Sequence, residues 1–449
     1  MLPTGKRILL FLPLLFLTMS RAFPQEIAAY SRFGFGELTR QSFTAAAGAG
    51  GLGAAYRSPF HINSINPASY TSLRLTTIEG GFYFAHKSLI DGLSDRKYKT
   101  GDGFFDHFAL GFPSIKKKLG FSCGITPYSK MKYSFTQNRT DPVVGDYVKI
   151  YDGNGRLYRL YVGGAYNFFK TDTFTVINQF SIGVNAAYIF GTLRQFEVLD
   201  YGSSTFYNTR VSSVLDMNNF ALNTGLQYVR RLKQGETNTR EMRDNPDFVA
   251  GAYASFPVVS ATSLVETWDR YVVLPAGIRV IDSVSYVPGN SGNIKIPVEF
   301  GAGLSFSNKN LFIGAEGNYS IWDNTNVPAP DVQIDNSWTV RGGLELTPTP
   351  KDELPHEVKL LEKITYRLGG YYSNGNLTLN QTRISEFAAS FGLSIPVTDS
   401  DNRQVLRFSL SLEAGSRGTT NSGYLRENFV RISFGFTFSQ IWFKKLRYD

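Results

Sequence analysis

The residues of this chain that could perform chemistry are few and poorly spaced for it. Gly48-Ala49-Gly50-Gly51-Leu52-Gly53 satisfies the G-x-G-x-x-G spacing that can cradle a pyrophosphate. That spacing holds a dinucleotide only where it leaves a strand and opens a helix in a βαβ unit, and no such unit surrounds it. It reads instead as a closely packed turn. The four histidines, His61, His86, His107 and His356, are scattered without the intervals of a metal site. Glu316 and Asp323 are close in sequence, but nothing places two carboxylates at a catalytic separation. No G-x-S-x-G nucleophile elbow occurs. Cys123 stands alone, which excludes a disulfide framework and a cysteine-rich metal centre. The expectation is a protein that is not an enzyme, with no catalytic residues, no metal and no cofactor.

Two short stretches constrain backbone shape rather than reactivity. The first is Gly51-Leu52-Gly53-Ala54-Ala55-Tyr56, followed by Asn66-Pro67-Ala68-Ser69. Asn and Pro together set a fixed turn, because the Asn side chain bonds neighbouring backbone and Pro fixes φ. The second is Gly120 to Ser129, which reads as a strand. Pro127 cannot donate to a ladder there, and Gly124 weakens it. Pro127 marks either a strand end near a rim or a local gap, and a gap in a closed wall would be a sideways exit into lipid.

The elements that carry these residues are strands. Gly numbers 43, Phe 36, Tyr 25 and Trp 4 in 449 residues, with 18% charged. Mean hydropathy is −0.16, and only the N-terminus holds a sustained apolar run. These features exclude a helical polytopic protein and a disordered one. Val430, Ile432, Phe434, Phe436 and Phe438 alternate with Arg431, Ser433, Gly435, Thr437 and Ser439. Leu406, Phe408, Leu410 and Leu412 alternate with Arg407, Ser409, Ser411 and Glu413 in the same way. Phe180 to Phe190, Leu311 to Ile321 and Phe387 to Ile395 repeat the pattern. One face is lipid-like and the other small or polar. That is the signature of an all-β transmembrane antiparallel barrel rather than a soluble sandwich. Candidate strands begin near 73, 104, 118, 156, 174, 209, 247, 268, 293, 310, 335, 362, 382, 403 and 425. Bacterial barrels have even strand numbers, so one candidate is surplus and about 14 strands are expected.

The division expected is 1–22 as a signal peptide, 23–72 as an N-terminal hatch and 73–449 as the barrel. Lys6 and Arg7 precede an apolar run from Ile8 to Met19, and Ser20-Arg21-Ala22 offers small residues for cleavage. Phe33 to Tyr70 is rich in Gly, Ala, Ser and Asn, and small residues suit close packing inside a lumen. Lys233–Asp247, Pro328–Ser337 and Lys351–Glu362 read as loops, and Lys444-Lys445-Leu446-Arg447 as a solvated tail. The net charge of +9 is scattered rather than striped, so no nucleic-acid partner is expected.

The Gly51–Tyr56 and Asn66–Ala68 stretches resemble the N-terminal hatch of FadL/TodX-type outer-membrane transporters. Thr126-Pro127-Tyr128-Ser129 resembles their kinked third strand. Ser181-Ile182-Gly183-Val184-Asn185, Tyr366 to Tyr372, Glu413 to Thr419 and Trp442-Phe443-Lys444-Lys445 are similar to the Bacteroidetes-type branch of that superfamily. The resemblance implies a 14-stranded barrel with a hatch in its lumen. By it, Gly51, Gly53, Asn66, Pro67 and Ala68 are hatch residues, and Gly124 and Pro127 shape a lateral opening; pocket residues are not assigned. It implies passive uptake of hydrophobic compounds such as long-chain fatty acids across the outer membrane, with lateral release through the kinked wall. Partners would then be outer-membrane lipid, lipopolysaccharide and a hydrophobic ligand. The alternative is a non-transporting barrel subunit of an outer-membrane assembly or protein-secretion complex, with outer-membrane proteins as partners.

Overall fold

The computed structural model describes residues 28–113, 118–172, 176–202, 206–232, 246–275, 277–287, 296–322, 332–348, 360–398 and 404–440. The leader region and the basic C-terminal tail lie outside the described residues.

Fourteen antiparallel strands form one closed ring. They are β1 (Thr76–Asp91), β2 (Lys97–Pro113), β3 (Leu119–Asp141), β4 (Gly145–Asp172), β5 (Val176–Asp200), β6 (Asn208–Leu232) and β7 (Asp247–Leu274). The rest are β8 (Val298–Ser307), β9 (Leu311–Ile321), β10 (Ser337–Leu346), β11 (Thr365–Ser373), β12 (Glu386–Thr398), β13 (Gln404–Gly418) and β14 (Leu425–Gln440). Each pairs with its neighbour in sequence, and β14 closes on β1 from Leu425↔Asp91 to Gln440↔Thr76. Closure leaves the lipid no open sheet edge around most of the wall.

The ring is inside out. Leu412 and Phe434 are 41% and 36% exposed, while the adjacent Ser411 and Ser433 are each 1% exposed. The period-2 alternation thus sends large apolar side chains outward, as a lipid-facing wall requires, and small, polar and charged ones inward.

The surplus candidate is the one near 268. β7 runs unbroken through it, and its far half pairs with a hairpin strand, Gly277–Val287, while its near half pairs with β8. β2 and β4 begin at 97 and 145 rather than near 104 and 156. Their early residues project beyond the apolar band, where charged residues interrupt the alternation. Val332–Ile334, read above as loop, is a short strand in a separate three-stranded sheet with Leu377–Leu379 and Thr382–Arg383. Leu360–Lys363, also read as loop, is a helical turn.

Wall height varies around the ring, with β1, β2 and β12 to β14 at 13 to 17 residues. β3 to β7 hold 23 to 28 residues each, and β8 to β11 hold 9 to 11. A bilayer-spanning strand needs about 9–11 residues. The short strands β8 to β11 therefore just span, and the tall wall of β3 to β7 stands clear at the distal end, opposite the end that holds Gln440.

Candidate functional site

The chain from Ala28 to Leu75 lies inside the ring and fills it. It enters beside the distal ends of β13 and β14, where the Tyr30 hydroxyl donates to the Leu425 carbonyl. It ends at the proximal start of β1. Its packing against the wall is backbone on backbone. A Cβ on Gly120, Gly183, Gly251, Gly343, Gly369 or Gly392 would lie 2.0 to 2.8 Å from hatch backbone atoms. These glycines come from β3, β5, β7, β10, β11 and β12, so the approach is made around most of the circumference. Only glycine permits such proximity.

Polar side chains of the wall then cap the hatch backbone. Glu316 accepts from the Gly53 and Ala54 amides at 2.7 and 2.6 Å. Glu79 accepts from the Ile62 amide at 2.9 Å and lies 3.2 Å from His61 Nδ1. Glu345 accepts from the Tyr56 hydroxyl at 3.0 Å and from Arg367 Nε at 2.7 Å. Arg40 pairs with Glu413, which also holds Arg431 at 2.8 Å. Buried carboxylates of this kind persist because each has donors in reach.

The structure brings Gly53, Asn66, Pro67 and Ala68 together. Asn66 caps the short 3₁₀ helix Pro67–Ser72 and accepts from the Ala68 amide at 3.1 Å. Its Nδ2 donates to the carbonyls of Ala54, Leu226 and Ala252 at 2.7, 3.1 and 3.2 Å. One side chain thereby ties two hatch turns to β6 and β7. Gly51 lies apart from them at φ +78°, a conformation that glycine adopts freely, against the Ser42 side chain.

Gly124 and Pro127 lie on β3, three residues apart, on either side of the point where a seam between β2 and β3 begins. Gly124 sits in the ladder, opposite Ala109 and Tyr161. β2 pairs with β3 only from Phe108↔Ile125 to Pro113↔Gly120. Distal to that, the two strands pair no further. Pro127 begins where pairing with β2 ends, at a register shift between β3 and β4. Its carbonyl accepts from Thr39 Oγ1 at 2.6 Å and Gln41 Nε2 at 3.1 Å. The hatch residues Glu37 and Leu38 pair with Lys130 and Ser129, adding a two-residue strand to the edge of β3.

Charges close this seam. Lys130 on β3 bonds Asp102 on β2 at 2.5 Å, and Arg156 lies 3.4 Å from the same carboxylate. Lys87 on β1 bonds Glu37 at 2.8 Å. Burial works against ionising Glu37, but Lys87 and then Lys130 outweigh it and hold the carboxyl well below its usual range. Sequence reasoning missed Glu37, Lys87, Asp102 and Lys130. Their only local signal is a charge at an inward position of a strand.

Above the hatch, a cleft of about 400 Å³ separates the tall wall from the three-stranded sheet. Met131, Leu193 and Leu215 form its floor, and Arg32, Gln195, Glu197 and Glu266 contribute polar groups. No group of three or more His, Cys, Asp or Glu suited to a metal ion occurs among the described residues.

A family model described as BamG matches residues 5–449. None of the curated proteins compared with the chain matches it in sequence. Among solved structures, the TodX monoaromatic hydrocarbon channel deltaS2 mutant is similar with a TM-score of 0.51 and 13% identity, covering 90% of this chain and 99% of that chain. The Ralstonia pickettii toluene transporter TbuX gives a TM-score of 0.48 and 14% identity over 90% of this chain and 99% of that one. A Pseudomonas aeruginosa FadL homologue gives 0.48 and 14% over 91% and 98%. At such identities the likeness to TodX is one of fold.

Proposed function

The chain belongs to the BamG family, and we propose that it is a permanently plugged outer-membrane barrel that serves as a subunit of an outer-membrane assembly or protein-secretion complex. The observation that carries this reading is the contact of hatch backbone with wall glycines around the ring. A hatch that must move to pass a solute would break these contacts and expose the carboxylates that cap it. Each such group left unpaired costs about 1–3 kcal/mol, more when charged. A hatch held this way suits a scaffold whose exterior and distal surfaces bind other proteins.

Passive uptake of a hydrophobic compound is the second reading. The open pairing between β2 and β3 distal to Phe108↔Ile125 favours it, since release into lipid would need a break in the ladder there. In that reading Gly124 and Pro127 shape the exit and the hatch residues Glu37 and Leu38 close it.

Native mass spectrometry of the protein purified from its own membrane in mild detergent tests both. Stoichiometric protein partners on an empty barrel are expected. A solitary barrel carrying a discrete adduct of a few hundred daltons would overturn the subunit reading in favour of uptake.

A further inference from the structure

The cleft above the hatch is chemically unlike an apolar pocket. The Arg32 guanidinium lies 4.0 Å from the Tyr151 ring centroid and 5.6 Å from that of Phe135, held in place by the rings. Gln195 Nε2 donates to the Arg32 carbonyl at 3.2 Å and fixes its backbone. The guanidinium makes no ion pair among the described residues, and neither does the Glu266 carboxylate at the same cleft. The Ser213 hydroxyl and the Asn380 amide also have no protein hydrogen-bond partner among the described residues. Aromatic walls thus stand beside a cation, an anion and neutral polar groups that the protein leaves available.

Three guest chemistries fit this poorly. An apolar guest would strip water from Arg32 and Glu266 and give nothing in return, which is costly for unpaired charges. An anion would meet Glu266 and a cation would meet Arg32, while Glu197 is already paired with Lys149 at 2.5 Å. A neutral guest with apolar C–H faces and a rim of hydroxyls fits every group. Its C–H faces lie on aromatic rings, while adjacent hydroxyls bond a guanidinium or a carboxylate in pairs. The volume of about 400 Å³ falls in the range of small-ligand sites.

We propose that this cleft is a saccharide-binding site, taking a short neutral pyranose chain from the distal side of the barrel. Arg32, Glu266 and Ser213 bond its hydroxyls, and Phe196 and Tyr424 of the lining, rather than the rings that hold Arg32, carry its ring faces. The site needs neither the subunit reading nor the uptake reading.

The test uses the full chain in lipid nanodiscs, with a panel of neutral trisaccharides of glucose, mannose and N-acetylglucosamine, and palmitate as the contrasting probe. Calorimetric titration is expected to show binding of at least one trisaccharide and none of palmitate at the cleft. Arg32→Ala and Glu266→Ala are each expected to weaken trisaccharide binding about tenfold or more, as loss of a charge-assisted hydrogen bond does. Heat-modifiable migration on gels checks that both variants still form the barrel. Three results would overturn the proposal: no trisaccharide bound by the folded protein, binding unchanged in both variants, or displacement of the trisaccharide by palmitate.

Discussion

A Cβ built on Gly343 would lie 2.1 Å from the Ala49 carbonyl oxygen, and one on Gly369 would lie 2.3 Å from the Gly50 nitrogen. Both obstacles are backbone, so neither can swing aside. Gly343→Val is therefore expected to displace the hatch locally and cost about 1–3 kcal/mol or more, as overpacking does. Protease cleavage of the hatch in the reconstituted protein reads this out. Gly317→Ala is the control, because the nearest atom to its added Cβ is 3.9 Å away and hatch protection should not change. Asn66→Ala removes donors from three carbonyls at once and should raise hatch cleavage similarly. Glu37 gives the hatch a defined acid response. Its pKa in the folded state is lower than in the unfolded one, so its contribution is complete above the usual carboxylate range near pH 4–5. That contribution disappears only as pH falls through the lower folded value. Protection of the hatch strand should hold from pH 7 to about 5 and fail only in stronger acid. Failure near pH 5 would contradict the pairing with Lys87 and Lys130.

The seam between β2 and β3 is the element whose behaviour separates the two functional readings. Removing Lys130 as Lys130→Met leaves Asp102 with Arg156 and the Tyr83 hydroxyl, and leaves Glu37 with Lys87 as its ion-pair partner. Breaking a buried pair from one side costs about 3–5 kcal/mol, so the seam should loosen while the rest of the ladder holds. Hydrogen exchange is expected to rise at Lys97–His107 and at Glu37–Leu38, and to stay low in β12 to β14. Pro127→Val tests the uptake reading from the same place. It restores a backbone donor where pairing with β2 ends, and under that reading it lowers uptake of a proven substrate without unfolding the barrel. Unchanged uptake would remove the lateral exit from consideration. Pro127 was visible in the sequence as a ladder interruption. The ion cluster beside it was not, because Glu37, Lys87, Asp102 and Lys130 come from four separate segments and no spacing links them.

At the scale of the whole molecule, a filled lumen and unequal wall heights set what the barrel can do. Planar-bilayer recordings of the intact protein should show no steady conductance. Deletion of residues 28–72 should open a conducting pore if the barrel still closes. A large conductance from the intact protein would contradict the permanent plug. The tall wall from β3 to β7 presents most of the distal surface and is where a partner or a sugar chain would be met.

The sequence by itself determined the closed barrel, its strand count to within one surplus candidate and the face each strand turns to lipid. Lipid offers no hydrogen bonds and accepts only apolar side chains, so the outward half of each strand must declare itself every second residue. The surplus candidate and the late starts of β2 and β4 arose where strands leave the bilayer, because that constraint ends there. The tertiary structure alone decided what the inward half does. Inward residues answer to one another across the lumen, as Arg40 does to Glu413 and Asn66 to Leu226 and Ala252. Such pairings join residues 160 to 373 positions apart and follow no period. The filled lumen, the charged seam and the cleft with its available cation and anion therefore emerge only once the ring is closed around the hatch.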